Sequence, residues 1–161
     1  MLEAPHPALS TPCVEVNLGD ATLGQLVDDL VATMRASAGC VGLAANQVGD
    51  PRRVFVVDVS GHERARSSQG LIVMVNPELV VSSRNAKVRE GCLSVPHLTG
   101  DLKRADRATV RGFLPDGEAQ EVTAEGLEAR ALQHELDHLD GKLFLDRVVS
   151  ASAVYPRVTY R

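Results

Sequence analysis

The sequence predicts an α+β fold with mainly antiparallel strand pairing, and three observations carry that reading. A leucine-rich segment near the start repeats at helical spacing. A series of β-branched runs bounded by turn residues fills the middle of the chain. One further helical pattern, containing His134-Glu135-Leu136-Asp137-His138, arrives only after the strands.

Residues 20–37 form the first helix in this reading, because Leu23, Leu26, Val27, Leu30, Val31 and Met34 fall on one face. Thr22 with Gln25 suits a capping box, and Gly39 suits the stop. The small-residue segment 39–49 suits close approach of two backbones. Strands are expected at 53–59, 71–75, 79–83 and 87–93, with 60–70 a mobile polar surface loop. Residues 109–113 and 119–123 flank Pro115-Asp116-Gly117 and read as a hairpin. The second helix runs from about 125 to 139, and Gly141 stands where a C-terminal glycine cap belongs.

The 161 residues suit one domain, 1–161, with a real core; 44% are apolar and 24% charged, as in ordinary globular chains. A formal charge of -4 and the absence of Trp argue against nucleic acid as a direct ligand. Apolar runs fall short of the roughly 18 residues that span a bilayer, so no membrane partner is expected. The first ten residues lack the basic-then-apolar pattern of a signal peptide. Cys13, Cys40 and Cys92 are an odd set without disulfide spacing, which suits a reducing compartment, the cytoplasm.

His134 and His138, four apart on a helix, share one face and can point at a single metal ion, with Glu135 close enough to reach a water beside it. Chance gives this pattern in a chain of this size less than about one time in a hundred. A hydrolytic site needs a third ligand and an open position. The tail after Gly141 offers no His, Glu or Cys, whereas Cys92 upstream sits in Glu90-Gly91-Cys92-Leu93-Ser94. A lone cysteine is more often a core residue, so by spacing alone Cys92 stays one candidate.

Three segments together resemble the peptide deformylase family. Residues 40–47 resemble its G-x-G-x-A-A-x-Q motif, Glu90 to Ser94 its E-G-C-L-S motif, and Gln133 to His138 its Q-H-E-x-D-H motif. They occur in the family's order, and Pro5-His6-Pro7-Ala8-Leu9 is similar to its N-terminal P-x-P-x-L. The resemblance implies antiparallel sheets wrapped around the H-E-x-x-H helix. It implies Cys92, His134 and His138 as metal ligands, Glu135 as general base and acid, and Gln47 with the Leu93 N–H as an oxyanion hole. Val41, Gly42, Glu90 and Gly91 then cradle the substrate backbone, Glu90 also bracing the site. The implied metal is Fe(II), which Zn, Ni or Co can replace in purified protein; the ligand set alone suggests Zn. The implied substrates are N-formylmethionyl nascent peptides, with formate as product.

Four departures accompany the resemblance. Cys40 stands at the motif's first glycine, where a positive φ would strain it. No Arg follows Pro96 closely, leaving Lys103 or Arg104 to orient the peptide, and His97 reads as a surface residue. Ser10 follows Leu9 where Arg is frequent. Some relatives contact the ribosome through a basic C-terminal helix; here Arg147, Arg157 and Arg161 make the tail basic, but Tyr155-Pro156 opposes a long helix. A tail lying on the domain is the reading, with transient ribosome contact the alternative. The competing functions are a general metallopeptidase and a catalytically impaired family member.

Overall fold

The computed structural model describes residues 1–158. Helix α1 spans Leu23–Ala36 and α2 spans Gly126–Leu139. Among the described residues six strands accompany them: β1 Gly42–Ala44, β2 Val54–Val57, β3 Ile72–Cys92, β4 Val95–Phe113, β5 Ala119–Glu125 and β6 Val154–Pro156. They form one antiparallel sheet in the order β1-β2-β3-β4-β5, with β6 on β4. The expected α+β class and antiparallel pairing are both present.

Strand β2 shows why the sheet is covered on two sides. Its four residues Val54, Phe55, Val56 and Val57 are all buried, and successive side chains leave a strand on opposite faces. Phe55 and Val57 join Leu132, Leu136 and Leu139 of α2 in one cluster. Val54 and Val56 join Leu23, Leu26, Leu30 and Met34 of α1 in another. Burying each such side chain contributes about 1.5–3 kcal/mol. The uniformly apolar strand is thus the layer shared by both helices.

Three expectations of the sequence are corrected. The strands expected at 71–75, 79–83 and 87–93 are one strand, β3, continuous through register shifts at Val75/Glu78, Leu79/Val81 and Gly91/Cys92. Asn76-Pro77 looks like a break but is a bulge: Asn76 takes a φ of 50°, and its side-chain amide bonds both the N–H and the carbonyl of Val16. Likewise β4 begins at Val95, well before the expected 109, because its charged residues pair with those of β3. The capping box at Thr22 does not form; Asp20 Oδ1 accepts from both the N–H and the hydroxyl of Thr22 instead.

The end of α2 behaves as expected. Gly141 adopts a φ of 72°, its N–H bonds the His138 carbonyl at 3.0 Å, and the Lys142 N–H bonds the Asp137 carbonyl at 2.8 Å. The loop 60–70 carries no strand or helix, yet it is tethered: Gln69 bonds buried Glu128 through its N–H at 2.9 Å and its side chain at 3.1 Å. The tail lies on the domain through β6, and Arg161 falls outside the described residues. Among the described residues, no helix is long and apolar enough to cross a membrane.

Gly141→Ala tests the helix stop. A Cβ there meets the Ser10 carbonyl at 2.9 Å on a left-handed backbone. The variant is expected to lose about 1–3 kcal/mol in urea unfolding, and unchanged stability would contradict this account of the cap.

Candidate active site

Strand β3 and helix α2 bring the predicted ligands together. Cys92 ends β3, and Cys92 pairs with Val95 across a two-residue turn, Leu93-Ser94, that leads into β4. His134 and His138 lie one turn apart on α2, with ring centroids 5.0 Å apart at 73°. The ligating atoms of Cys92, His134 and His138 all lie within 4.8 Å of one another, and Cys92 Sγ stands 3.2 Å from His138 Nε2. Tetrahedral coordination at ordinary metal–sulfur and metal–nitrogen lengths separates S and N by about 3.5 Å. The donor set therefore fits a single cation in both chemistry and spacing.

The imidazole of His134 is oriented from behind. Its Nδ1 is 2.9 Å from Glu90 Oε2, which makes Nδ1 the donor and leaves Nε2 for the cavity side. Glu90 is itself held by Arg104, whose Nε and Nη2 donate to it at 2.8 and 3.0 Å. Burial pushes the Glu90 carboxyl up, but the bonds from His134 and Arg104 outweigh it and hold the group at about 2. Burial pulls His134 down, yet bonding to Cys92 and Glu90 keeps it well above its ordinary value. His138 is displaced well below by burial and by the neighbouring His134 and Arg104. A cation between the rings suits two neutral imidazole nitrogens better than two protons do.

Glu135 is buried, and its Oε2 has no hydrogen-bond partner among the described residues. Burial lifts its carboxyl to about 7, against the opposing charge of His134. Strand β1 reaches this carboxylate directly, since a Cβ on Gly42 would lie 2.5 Å from Glu135 Oε1. The small-residue segment earns its composition here: only a glycine permits that approach. Gln47 follows β1 on a short 3-10 turn; its Oε1 accepts from the Ala44 N–H at 3.0 Å and its Nε2 reaches Ser94 Oγ at 3.1 Å and Cys92 Sγ at 3.6 Å. The N-terminus braces this corner, as Leu2 N–H bonds the Gln47 carbonyl at 2.7 Å and Ala4 N–H the Ser94 carbonyl at 2.9 Å.

These groups open onto a cavity of about 340 Å³ whose lining includes Val41, Gly42, Gln47, Gly91, Leu93 and Glu135. Leu127 and Ala131 give its α2 wall an apolar stretch. Glu90 also borders it, but its carboxylate is turned to Arg104 and His134, so it offers the cavity backbone alone. Cys40 borders the cavity without a positive φ, so the anticipated strain is absent. Arg104 does not orient a peptide: it is buried at 3% between Glu90 and Asp137, and Lys103 lies outside the cavity. His97 is exposed, as expected. Sequence reasoning missed the roles of Arg104 and Asp137. The available signal was that two acids beside metal ligands, if buried, require a shared cation.

A family model for polypeptide deformylase matches residues 1–153. The chain belongs to the peptide deformylase family. It is 44% identical over 144 residues to a peptide deformylase of Syntrophobacter fumaroxidans, covering 89% of this chain and 82% of that one. Identity is 48% over 143 residues with peptide deformylase 2 of Streptomyces avermitilis, covering 88% and 75%. Among solved structures, a peptide deformylase from Legionella pneumophila superposes with a TM-score of 0.85 at 39% identity, covering 95% of this chain and 86% of that one. A Met-Ala-Ser-bound deformylase from Acinetobacter baumannii gives 0.83 at 36%, covering 91% and 96%. Membership carries a metal-dependent hydrolysis that removes the formyl group of N-terminal formylmethionine and releases formate. The alternative functions gain no support from these relatives.

Gly42→Ala tests the contact between β1 and Glu135. Displacing the carboxylate by even 1 Å is expected to reduce formate release about 100-fold, while circular dichroism stays that of the parent. Parental turnover would show that Glu135 tolerates the added methyl.

Proposed function

We propose that Glu135 carries the proton in this deformylation, with Cys92, His134 and His138 holding the cation and Gln47 with the Leu93 N–H receiving the charge that builds on the formyl oxygen. The observation that carries this reading is a buried, unpartnered carboxylate oxygen beside three converging ligand atoms. When bound, the cation supplies positive charge that acidifies water and polarises a carbonyl.

The remaining work falls to the chain. A carboxyl lifted to about 7 both accepts and releases a proton near neutral pH. Glu135 takes a proton from the water that attacks the formyl carbon, then delivers it to the departing amine nitrogen. Each oxyanion donor contributes about 2.7–4 kcal/mol to the transition state. Gln47 suits the task because its Oε1 is fixed by Ala44, which leaves its amino group directed toward Cys92.

The substrate peptide lies as an added strand between Val41-Gly42 and Glu90-Gly91, held mainly by backbone groups. Among the described residues β1 pairs only with β2, so its other edge is open on the cavity side. The methionine side chain enters beside Val41, Leu127 and Ala131. Formyl carries only hydrogen on its carbon, so the close packing of Gly42 on Glu135 excludes acetyl and longer acyl groups.

We assign the cation as Fe(II), with Zn, Ni or Co as replacements in purified protein. A thiolate on ferrous iron is open to oxidation, so activity is expected to decay in air. The whole chain acts as one catalytic unit on nascent chains in the cytoplasm, where thiols remain reduced. A transient contact with the ribosome accords with that substrate.

Anaerobic formate release from formyl-Met-Ala-Ser tests the roles. Glu135→Gln is expected to keep its metal and lose at least about 100-fold in turnover; parental activity removes Glu135 from the mechanism. Cys92→Ser is expected to retain far less metal after dialysis, and full stoichiometry there would refute the thiolate ligand.

A further inference from the structure

We propose that the cavity rim selects formylated peptides bearing a carboxylate within the two residues after formylmethionine, through Arg64, Arg89 and Arg157. This rests on the deformylase reading and adds a charge preference to it.

The rim is positive although the chain as a whole is not. The formal charge is -4, yet Arg64, Arg89, Arg130 and Arg157 all border one cavity. Of the two acids on its wall, Glu135 is buried, and the partly buried Glu90 is already matched by Arg104 and His134. Among the described residues, ion pairs reach only two of the four arginines: Arg89 meets Asp101 at 2.8 Å and Arg130 meets Asp106 at 3.0 Å. Each of these acids serves a second cation as well. Lys87 Nζ stands 3.6 Å from Asp101, and Arg66 lies 3.2 Å from Asp106. The local balance therefore leaves uncompensated positive charge facing the cavity.

Its position follows from the fold. Past Cys92 the chain turns at once into β4, so the open run of β3 from the ligand set leads back through Gly91 toward Arg89. At about 3.3 Å per residue, Arg89 stands about 10 Å from Cys92, the reach of the second or third residue of an extended peptide. Arg157 covers the same run: a Cβ on Gly91 would lie 3.8 Å from its Cζ. The tail is fixed there by three contacts. β6 pairs with Leu98 to Gly100, the Arg157 N–H bonds the His97 carbonyl at 2.8 Å, and Arg89 stacks 3.9 Å from the centre of the Tyr155 ring. Arg64, on the tethered loop, also borders the cavity. Guanidinium groups in such an arrangement take carboxylates by paired hydrogen bonds as well as by charge.

The test compares kcat/KM of the metal-loaded enzyme for formyl-Met-Ala-Ser, formyl-Met-Asp-Asp and formyl-Met-Lys-Lys at low and high salt. The acidic peptide is expected to exceed the basic one about fivefold at low salt, with the ratio shrinking as salt screens the rim. Arg157→Gln should reduce the ratio, and Arg64→Glu with Arg157→Glu should invert it. Equal values for the two charged peptides, or a ratio unmoved by the double reversal, would overturn the preference while leaving deformylation intact. No formate from any of the three peptides would overturn the deformylase reading and this preference with it.

Discussion

Arg104 is the tie on which the site depends. Its guanidinium, on β4, bonds Glu90 of β3 on one side and Asp137 of α2 on the other, at 2.7 to 3.0 Å. Arg147 closes the lattice by bonding both oxygens of Asp137. Two strands, the helix and the segment after it are thereby joined through charges that, apart from the half-exposed Arg147, have largely left water. Such a lattice gives little net stability, because desolvation opposes its attraction. Losing one member is another matter, since a stranded buried charge costs about 3–5 kcal/mol. What the lattice contributes is position: Glu90 can orient His134 only because Arg104 holds Glu90.

The same economy governs α2. Leu132, Leu136 and Leu139 anchor the helix in the core with Phe55, Val57 and Met74. The opposite side carries His134, Glu135 and His138 into the cavity region. A buried seam with a lone carboxylate oxygen and closely spaced imidazoles is unfavourable for a purely structural helix. The apolar side supplies the stability that permits it, and a cation between the donors relieves part of the strain among them.

Much of this was legible in sequence. H-E-x-x-H declares its geometry because a helical repeat puts residues four apart on one face wherever that helix sits. The helix at 125–139, its glycine stop and the hairpin at Pro115-Asp116-Gly117 are likewise local matters, and each occurs where expected. The expectations that failed were also local in origin. Asn76-Pro77 looked like a strand end because its partner, Val16, is sixty residues away. The charged start of β4 looked unlike a strand because its ion pairs lie on β3 and α2.

The helices, the turn residues and the chemical types at the site could be read along the chain, since each depends on neighbours within a few residues. Tertiary structure alone decided that Cys92 stands 3.2 Å from His138, that Gly42 touches Glu135, and that Arg104 is a brace rather than a peptide contact. Those outcomes depend on how β3 pairs with β4 and how α2 lies across the sheet. Sheet register and helix packing are set by the summed burial of many side chains, which no short window of residues contains.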